Sequence, residues 1–587
     1  MAQYEELAAR GSGYVIEGMI ARHNARMENM AKLPPPAIEP VTSALLSIGF
    51  TDFALRELGA TRDRSPSSYG GDWVDHLAWG ADSAYSAARL LFSGQFIGAT
   101  TILRSQFERW TENAAYNTGI SHRRGESVAD YAARAWAKCH KNYPFAPQEI
   151  NAGPKATEDA DGPHLDPAQG SPPGPSVLIG DDYEVYPSAL MNSMSDLLHS
   201  RGPWVDVVHW ESGQLLDGVP PAALGEASTG LADVMTLNLR QIRLCLATLA
   251  EEEGKTDLPR RIFLGSIERA RGGHKPPAFP SLIPLLPNTG LTPGIVAGLK
   301  DAARAHASVM QGKKPAGRLY RDDEFALLHF YERRARAATW ALKAFDLEKR
   351  RMGKLDFEHL ETRNFRYLIA AEMAGLISVW LKRSPAADAA AACSSAMRSA
   401  YWLWLEDDDR ALAALRVLLE QCGRLRVWTE KPEKADKLER SPSSTPKDWL
   451  TAAGWRRLSA LNKALGEFSH AHANIRWDGA REILQKIQHE KIDPDDSLHM
   501  ARGHALDALT FILLKELIGS SEKVSPVIGS AFRKIVNDIL IEEKDLEKGT
   551  EALFNRTLLH KDASLGDYSF RGPADATRKG FTPAADR

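Results

Sequence analysis

The stretch TTILRSQFERW, residues 100–110, places Arg104 and Glu108 four residues apart on an apolar helical pattern. A second stretch, LAALRVLLEQC at residues 412–422, has Arg416 and Glu420 at the same spacing. Residues four apart lie on one face of an α-helix, and the flanking leucines and alanines direct that face toward other helices. The two stretches therefore predict two ion pairs at least partly buried in a helical bundle.

The two ion pairs belong to a longer internal repeat. Residues 83–108 align with residues 395–420 without a gap, and the matched positions include small and apolar residues as well as the charged pair. The matches are Ser83 with Ser395, Ala84 with Ala396, Ala88 with Ala400, Leu91 with Leu403, Ala99 with Ala411 and Leu103 with Leu415. Each copy predicts a helical hairpin, with turns at 93–95 and 406–409.

A histidine follows each hairpin in the same order along the chain. His199 and His470 each have an acidic residue three positions earlier and a tryptophan shortly afterwards. The longer spacing in the first copy matches the length of a Pro- and Gly-rich segment at 143–183. A surface loop of that length costs little closure entropy, so an inserted loop can account for the difference in spacing. The sequence therefore predicts two related units, each with an arginine, a glutamate and a histidine.

Helical patterns dominate the 587 residues, and alternating strand-like runs are scarce. The predicted fold is all-α, with two related bundles of four to five helices, a helical connector and long Pro/Gly-rich loops. Segments 143–183, 271–294 and 429–448 are rich in helix-breaking or turn residues and predict low order. The predicted units are an N-terminal helical extension (1–70), the first bundle (71–255), a linker and connector (256–364), the second bundle (365–520) and C-terminal helices with a flexible tail (521–587).

Composition narrows the function class. A net charge of −3 and a pI near 6.6 argue against a nonspecific nucleic-acid coat. Four scattered cysteines without a CxxC pair indicate reduced, buried thiols. The amino terminus does not resemble a secretory signal, and no apolar stretch is long enough for a bilayer. These features predict a cytoplasmic protein with no membrane association.

The Arg/Glu/His sets allow two interpretations. An exposed helical pair is more stabilising with the glutamate first, and both copies have the arginine first, so a surface bridge explains them poorly. The sets could be buried networks that fix helix register in a scaffold for protein partners. Alternatively, they could line a cleft in which arginine and histidine bind an anionic group.

The hairpin pattern with its downstream histidine resembles an uncharacterised group of bacterial HEPN-like helical domains. The resemblance rests on Ala88, Leu91, Ala99, Leu103, Arg104, Glu108 and His199, and on Ala400, Leu403, Ala411, Leu415, Arg416, Glu420 and His470. It implies helical bundles that often dimerise and that serve conflict or phage defence. Such domains are either metal-independent ribonucleases or modules that bind RNA, a nucleotide or a protein.

The ribonuclease motif of that family is an arginine followed within a few residues by a histidine. Arg134 with His140 and Arg269 with His274 fit this spacing, and Asn555 with His560 is a looser variant. None of these pairs lies at the position in the two copies where the repeat predicts such a motif. Whether the chain is an enzyme therefore stays open.

The sequence contains few other motifs for nucleic-acid binding, catalysis or metal binding. A basic run followed by aromatic residues is a second candidate surface for nucleic acid, formed by Lys313, Lys314, Arg318, Arg333 and Arg334. No phosphate-binding loop, nucleophile elbow or zinc motif is present. We expect no metal and no cofactor.

Overall fold

The computed structural model describes residues 2–31, 33, 48, 51, 71–142, 186–213, 222–252, 365–405, 410–441, 444–466 and 500–539. Of these residues 87% are helical and none is in a strand, which confirms the all-α prediction. No helix within these stretches is long and apolar enough to cross a membrane. The predicted loop 143–183, the connector 256–364 and the tail beyond 539 lie outside the described residues.

The N-terminal half of the chain contains the first predicted hairpin. Its helices are α1 (Ala2–Arg10), α2 (Ser12–Ala31), α3 (Gly71–Phe92), α4 (Phe96–Asn117), α5 (Val128–Asn142), α6 (Tyr186–Leu198), α7 (Trp204–Ser212) and α8 (Ala222–Glu252). Helices α3 and α4 form the hairpin, α8 packs along both of them, and α5 and α6 cover α4. Gly94 lies in the turn with φ +68°, and an ideal Cβ there would be 2.8 Å from the Trp210 ring. Only glycine therefore fits this turn.

The C-terminal half is built around the second hairpin. Its helices are α9 (Phe365–Trp380), α10 (Pro385–Leu405), α11 (Ala411–Glu430), α12 (Pro432–Arg440), α13 (Pro446–Ala452), α14 (Ser459–Gly466), α15 (Met500–Val524) and α16 (Pro526–Ile539), with a 3₁₀ turn at Arg456–Leu458. Helices α10 and α11 form the hairpin, and α9 and α15 pack against it. Ser384 caps α10, since its Oγ accepts the Ala387 N–H at 3.2 Å.

The two halves share one hydrophobic core. Buried side chains from both hairpins belong to the same cluster, for example Leu103 and Trp110 with Met397 and Leu418. Helix α7 packs against α9 and α10, α4 packs against α10 and α11, and α2 packs against α9. The division of the chain into two units, and the boundaries of those units, stay predictions. Both predicted pairs of packed helices are present, and the second predicted turn, 406–409, lies outside the described residues.

The prediction of low order for residues 429–448 is wrong. The described part of this segment contains α12 and the start of α13. Pro432 and Pro446 each stand at the first helical position, where a proline loses no intrahelical hydrogen bond. A capping box between Thr445 and Asp448 then fixes the start of α13. The prolines that indicated disorder instead mark helix starts.

Candidate functional site

Both predicted ion pairs form, with nearly the same geometry. Arg104 Nε lies 3.1 Å from Glu108 Oε1 on α4, and Arg416 Nε lies 3.0 Å from Glu420 Oε1 on α11. The arginine side chains are 19% and 15% exposed, and the glutamates 5% and 11%. Each pair therefore has a buried carboxylate and a guanidinium that still reaches solvent.

His199 lies near both ion pairs. It is half-buried in the turn after α6. Desolvation, followed by the charges of Arg424, Arg104, Arg201 and Arg416, holds the pKa of His199 well below its usual 6.5. The sequence assigned one histidine to each half, and among the described residues the arginines of both halves lie near the neutral imidazole of His199. His470 lies outside the described residues, because the structure describes none of residues 467–499.

Three further charged residues complete the cluster. Arg201 Nε donates to Glu439 Oε1 at 3.1 Å, and Arg424 Nη2 donates to Glu439 Oε2. The Arg424 guanidinium also lies 5.0 Å above the Trp449 ring. We call this cluster the arginine junction. Its members are Arg104, Glu108, His199, Arg201, Arg416, Glu420, Arg424 and Glu439.

Sequence reasoning missed these three residues although signals for two of them exist. Arg424 follows Glu420 by four positions and so continues the Arg416 and Glu420 face of α11. Arg201 stands two residues after His199. Glu439 was missed because its segment was predicted to have low order.

The arginine junction has an excess of positive charge. Among the described residues it contains four arginines and three glutamates, and its histidine is neutral near pH 7. Arg201 is its most accessible cation, with 43% of its side chain exposed. Guanidinium groups bind carboxylate and phosphate oxygens in a planar, two-point geometry. The arrangement therefore suits an anionic ligand.

A second charged cluster is buried between the halves and has a structural role. Arg22 on α2 pairs with Glu372 on α9, and Arg398 Nη1 donates to the Glu211 backbone oxygen at 2.8 Å. Glu211 Oε2 accepts the N–H of Ile97 in the first turn of α4 at 3.1 Å. Burial raises the pKa of Glu211 to about 7, although these hydrogen bonds and charges oppose the rise. This cluster fastens α2, α7, α9 and α10 to each other.

A small cavity between α7 and α10 holds a histidine–aspartate pair that the sequence did not indicate. His209 Nε2 lies 2.6 Å from Asp388 Oδ1, and the cavity of about 190 Å³ is also lined by Asp206, Arg383 and Ser384. The Ser384 hydroxyl donates to the Leu381 carbonyl at 3.1 Å instead of to His209. The serine, histidine and aspartate therefore do not form a nucleophile relay.

The remaining sequence candidates either lie outside the described residues or have partners outside the junction. Lys313, Lys314, Arg318, Arg333 and Arg334 lie outside the described residues. Arg134 is held by Glu126 at 2.8 Å and by the Ser121 carbonyl at 2.9 Å. In the part of the chain that the structure covers, no group of three or more His, Cys, Asp or Glu side chains could hold a metal ion.

The cysteines are free and buried, as their scattered positions indicated. Cys393 Sγ and Cys422 Sγ nevertheless lie 3.7 Å apart between α10 and α11. Burial, together with the neighbouring thiol, raises the pKa of Cys422 well above its usual value. A buried thiol that stays protonated is a poor nucleophile, so we assign the pair a packing role.

Comparisons with family models, with curated proteins and with solved structures returned no match.

Proposed function

We propose that this protein is a HEPN-like bacterial conflict or defence protein that binds the phosphate groups of RNA or of a nucleotide at the arginine junction. One observation carries the proposal: arginines from both halves converge on a neutral His199 and outnumber the glutamates beside them. Because the two halves supply different arginines, such a ligand would bridge them. Free, buried cysteines support a cytoplasmic location as part of this proposal.

The protonation state of His199 favours binding over cleavage. An efficient general base has a pKa near the working pH, and the pKa of His199 is far below that. Its neutral ring can still donate or accept a hydrogen bond to a phosphate or a ribose hydroxyl. We therefore favour a binding module, with metal-independent ribonuclease activity as the outcome to test against it.

Binding is tested with a short fluorescent ribo-oligonucleotide, with ATP as competitor, at several salt concentrations. Arg201→Gln removes the most exposed guanidinium of the arginine junction and should weaken binding several-fold and reduce its salt dependence. Arg124→Gln is the matched control, because Arg124 is an exposed arginine on the turn before α5 and outside the junction. Equal RNA affinity for wild type and both variants would show that the arginine junction does not bind RNA.

Cleavage is tested by incubating the protein with total RNA beside the Arg104→Ala/Arg416→Ala variant. We expect no cleavage by either protein. Cleavage by wild type that the double variant lacks would show a ribonuclease centred on these arginines. Equal cleavage by both would exclude them from the mechanism.

A non-catalytic scaffold for protein partners is the second candidate, and burial of the junction carboxylates favours it. Glu108 and Glu420 are nearly inaccessible, and Gln421 Nε2 donates to the Leu198 carbonyl at 3.0 Å, which ties α11 to α6. In a scaffold, Arg201→Gln would change neither RNA affinity nor ATP affinity. Thermal unfolding of the Glu108→Gln and Glu420→Gln variants would then be the only property affected.

A further inference from the structure

We propose that the Glu439 carboxylate occupies the position that a ligand phosphate takes, and that α12 is a lid over the arginine junction. This inference rests on the proposed function and specifies how that site opens. The Glu439 carboxylate then competes with the ligand for the same arginines. Phosphate can therefore bind only when α12 is displaced.

Glu439 joins cations from the two halves. Its two carboxylate oxygens accept from Arg201, which follows α6, and from Arg424 on α11. Each guanidinium thus donates to one of two oxygens on the same anionic group, and phosphate also offers at least two such oxygens. Trp449 lies 5.0 Å from the Arg424 guanidinium and would keep it in position after Glu439 leaves. The two arginines are therefore preorganised for an anion that replaces the carboxylate.

Helix α12 is lightly attached to the rest of the protein. Ala435 is its one buried residue, and Leu438 packs on a small cluster separate from the main core. The helix begins at Pro432 directly after α11 ends, and Lys431 between them has φ −141° and ψ 61°, which is neither helical nor extended. A short element with few buried apolar contacts opens locally at low cost. The chain can therefore swing α12 away at Lys431 without unfolding α11.

Displacement of Glu439 changes the charge balance of the junction. With Glu439 in place, four arginines have three carboxylate partners, and without it they have two. Because phosphate oxygens and the carboxylate compete for the same guanidinium donors, only one of them binds at a time. The excess positive charge of the open form then favours an anion with more than one negative charge.

The test compares Glu439→Gln with Glu433→Gln in the full chain, using the fluorescent ribo-oligonucleotide and, separately, inorganic phosphate. Both changes remove one carboxylate from α12, but Glu433 is exposed and is not bonded to the junction arginines. A site open in about one tenth of the molecules binds about tenfold more weakly than a permanently open one. We expect Glu439→Gln to raise affinity on the order of tenfold and Glu433→Gln to leave it unchanged. Leu438→Ala, which loosens α12 but keeps the carboxylate, should raise affinity by less.

Hydrogen exchange of the wild-type protein provides an independent readout. Ligand binding should speed amide exchange in α12 (Pro432–Arg440) and leave α11 protected. Wild-type binding with no gain in Glu439→Gln, or with weaker binding in that variant, would overturn the lid and leave the proposed function standing. Failure of the wild type and all three variants to bind either probe would overturn both.

Discussion

The two hairpins have the same ion pair but meet the opposite half in different ways. At the start of α4, Gly98 lies so close to α10 that an ideal Cβ would be 2.5 Å from Ser399 Oγ. In the repeat, Gly98 aligns with Arg410 at the start of α11. The Arg410 guanidinium is buried and donates to Ser83 Oγ at 3.0 Å and to Ser86 Oγ at 3.2 Å on α3. One contact is thus a close backbone approach and the other an arginine bridge.

This difference shows which features of a repeat are independent of each other. The ion pair depends on two residues of one helix, so it persists wherever the local sequence persists. The distance between helices depends on the residue at the crossing point, so a glycine in one copy and an arginine in the other give different interfaces. Substitutions at the crossing points and at the ion pairs should therefore have separable effects on stability.

Gly98→Ala should destabilise the protein by about 2–3 kcal/mol, because the added Cβ overlaps Ser399 at a packed crossing. Chemical denaturation of purified protein measures the change. The Ser399→Gly/Gly98→Ala double variant should recover part of the loss, since the glycine removes the 2.6 Å contact with Ser399 Cβ. A Gly98→Ala protein with wild-type stability would show that the two halves do not approach each other closely here.

Glu108→Gln and Glu420→Gln should each cost about 1–2 kcal/mol, because a partly buried arginine loses its charged partner. Denaturation midpoints of the two variants, measured under identical conditions, provide the comparison. We expect the Glu108 change to cost slightly more, since its side chain is 5% exposed against 11% for Glu420. A large effect in one variant and none in the other would contradict the equivalence of the two pairs.

Stability should depend on pH through Glu211 and His199, with opposite signs. The folded-state pKa of Glu211 is about 7 against an ordinary 4.5, so between these values the folded state holds a proton that the unfolded state has released. Its contribution to stability therefore falls as pH rises through this window, by on the order of 1 kcal/mol per pH unit. The pKa of His199 is lowered, so its contribution falls as pH drops below 6.5.

Thermal unfolding of variants from pH 4.5 to 7 separates the two groups. Glu211→Gln should leave stability that rises with pH, and His199→Gln should leave stability that falls with pH. Parallel pH profiles for both variants would show that neither group titrates as its surroundings dictate.

Glu430→Gln should change stability by only a few tenths of a kcal/mol. It removes an ion pair with Arg426 that has the same arginine-first spacing on α11, at 3.3 Å, but with side chains 31% and 40% exposed. This exposed pair is the reference for the two junction pairs in the same denaturation experiment. A cost as large as that of Glu420→Gln would mean that spacing matters more than burial.

Much of the candidate site follows from the sequence, and the parts that do not have identifiable causes. Arg104, Glu108, Arg416 and Glu420 were predicted as pairs because helical spacing alone brings them together. His199 was predicted as a member of the first set, but its proximity to Arg416 depends on how the two halves pack. Glu439 was not predicted, because prolines that start a helix and prolines that prevent one look alike in a single sequence.

The helical class, the two hairpins and the ion pair on each could be predicted from the amino-acid sequence alone, since they depend on contacts between residues close together along the chain. The packing of distant segments, in contrast, decides that both ion pairs lie near His199, that Arg201 and Arg424 share the Glu439 carboxylate and that His209 contacts Asp388. These two groups of features differ in how far apart along the chain the interacting residues lie. Local hydrogen bonding and side-chain spacing are fixed by neighbours in sequence, whereas burial, desolvation and the charge around a group depend on segments that are distant along the chain.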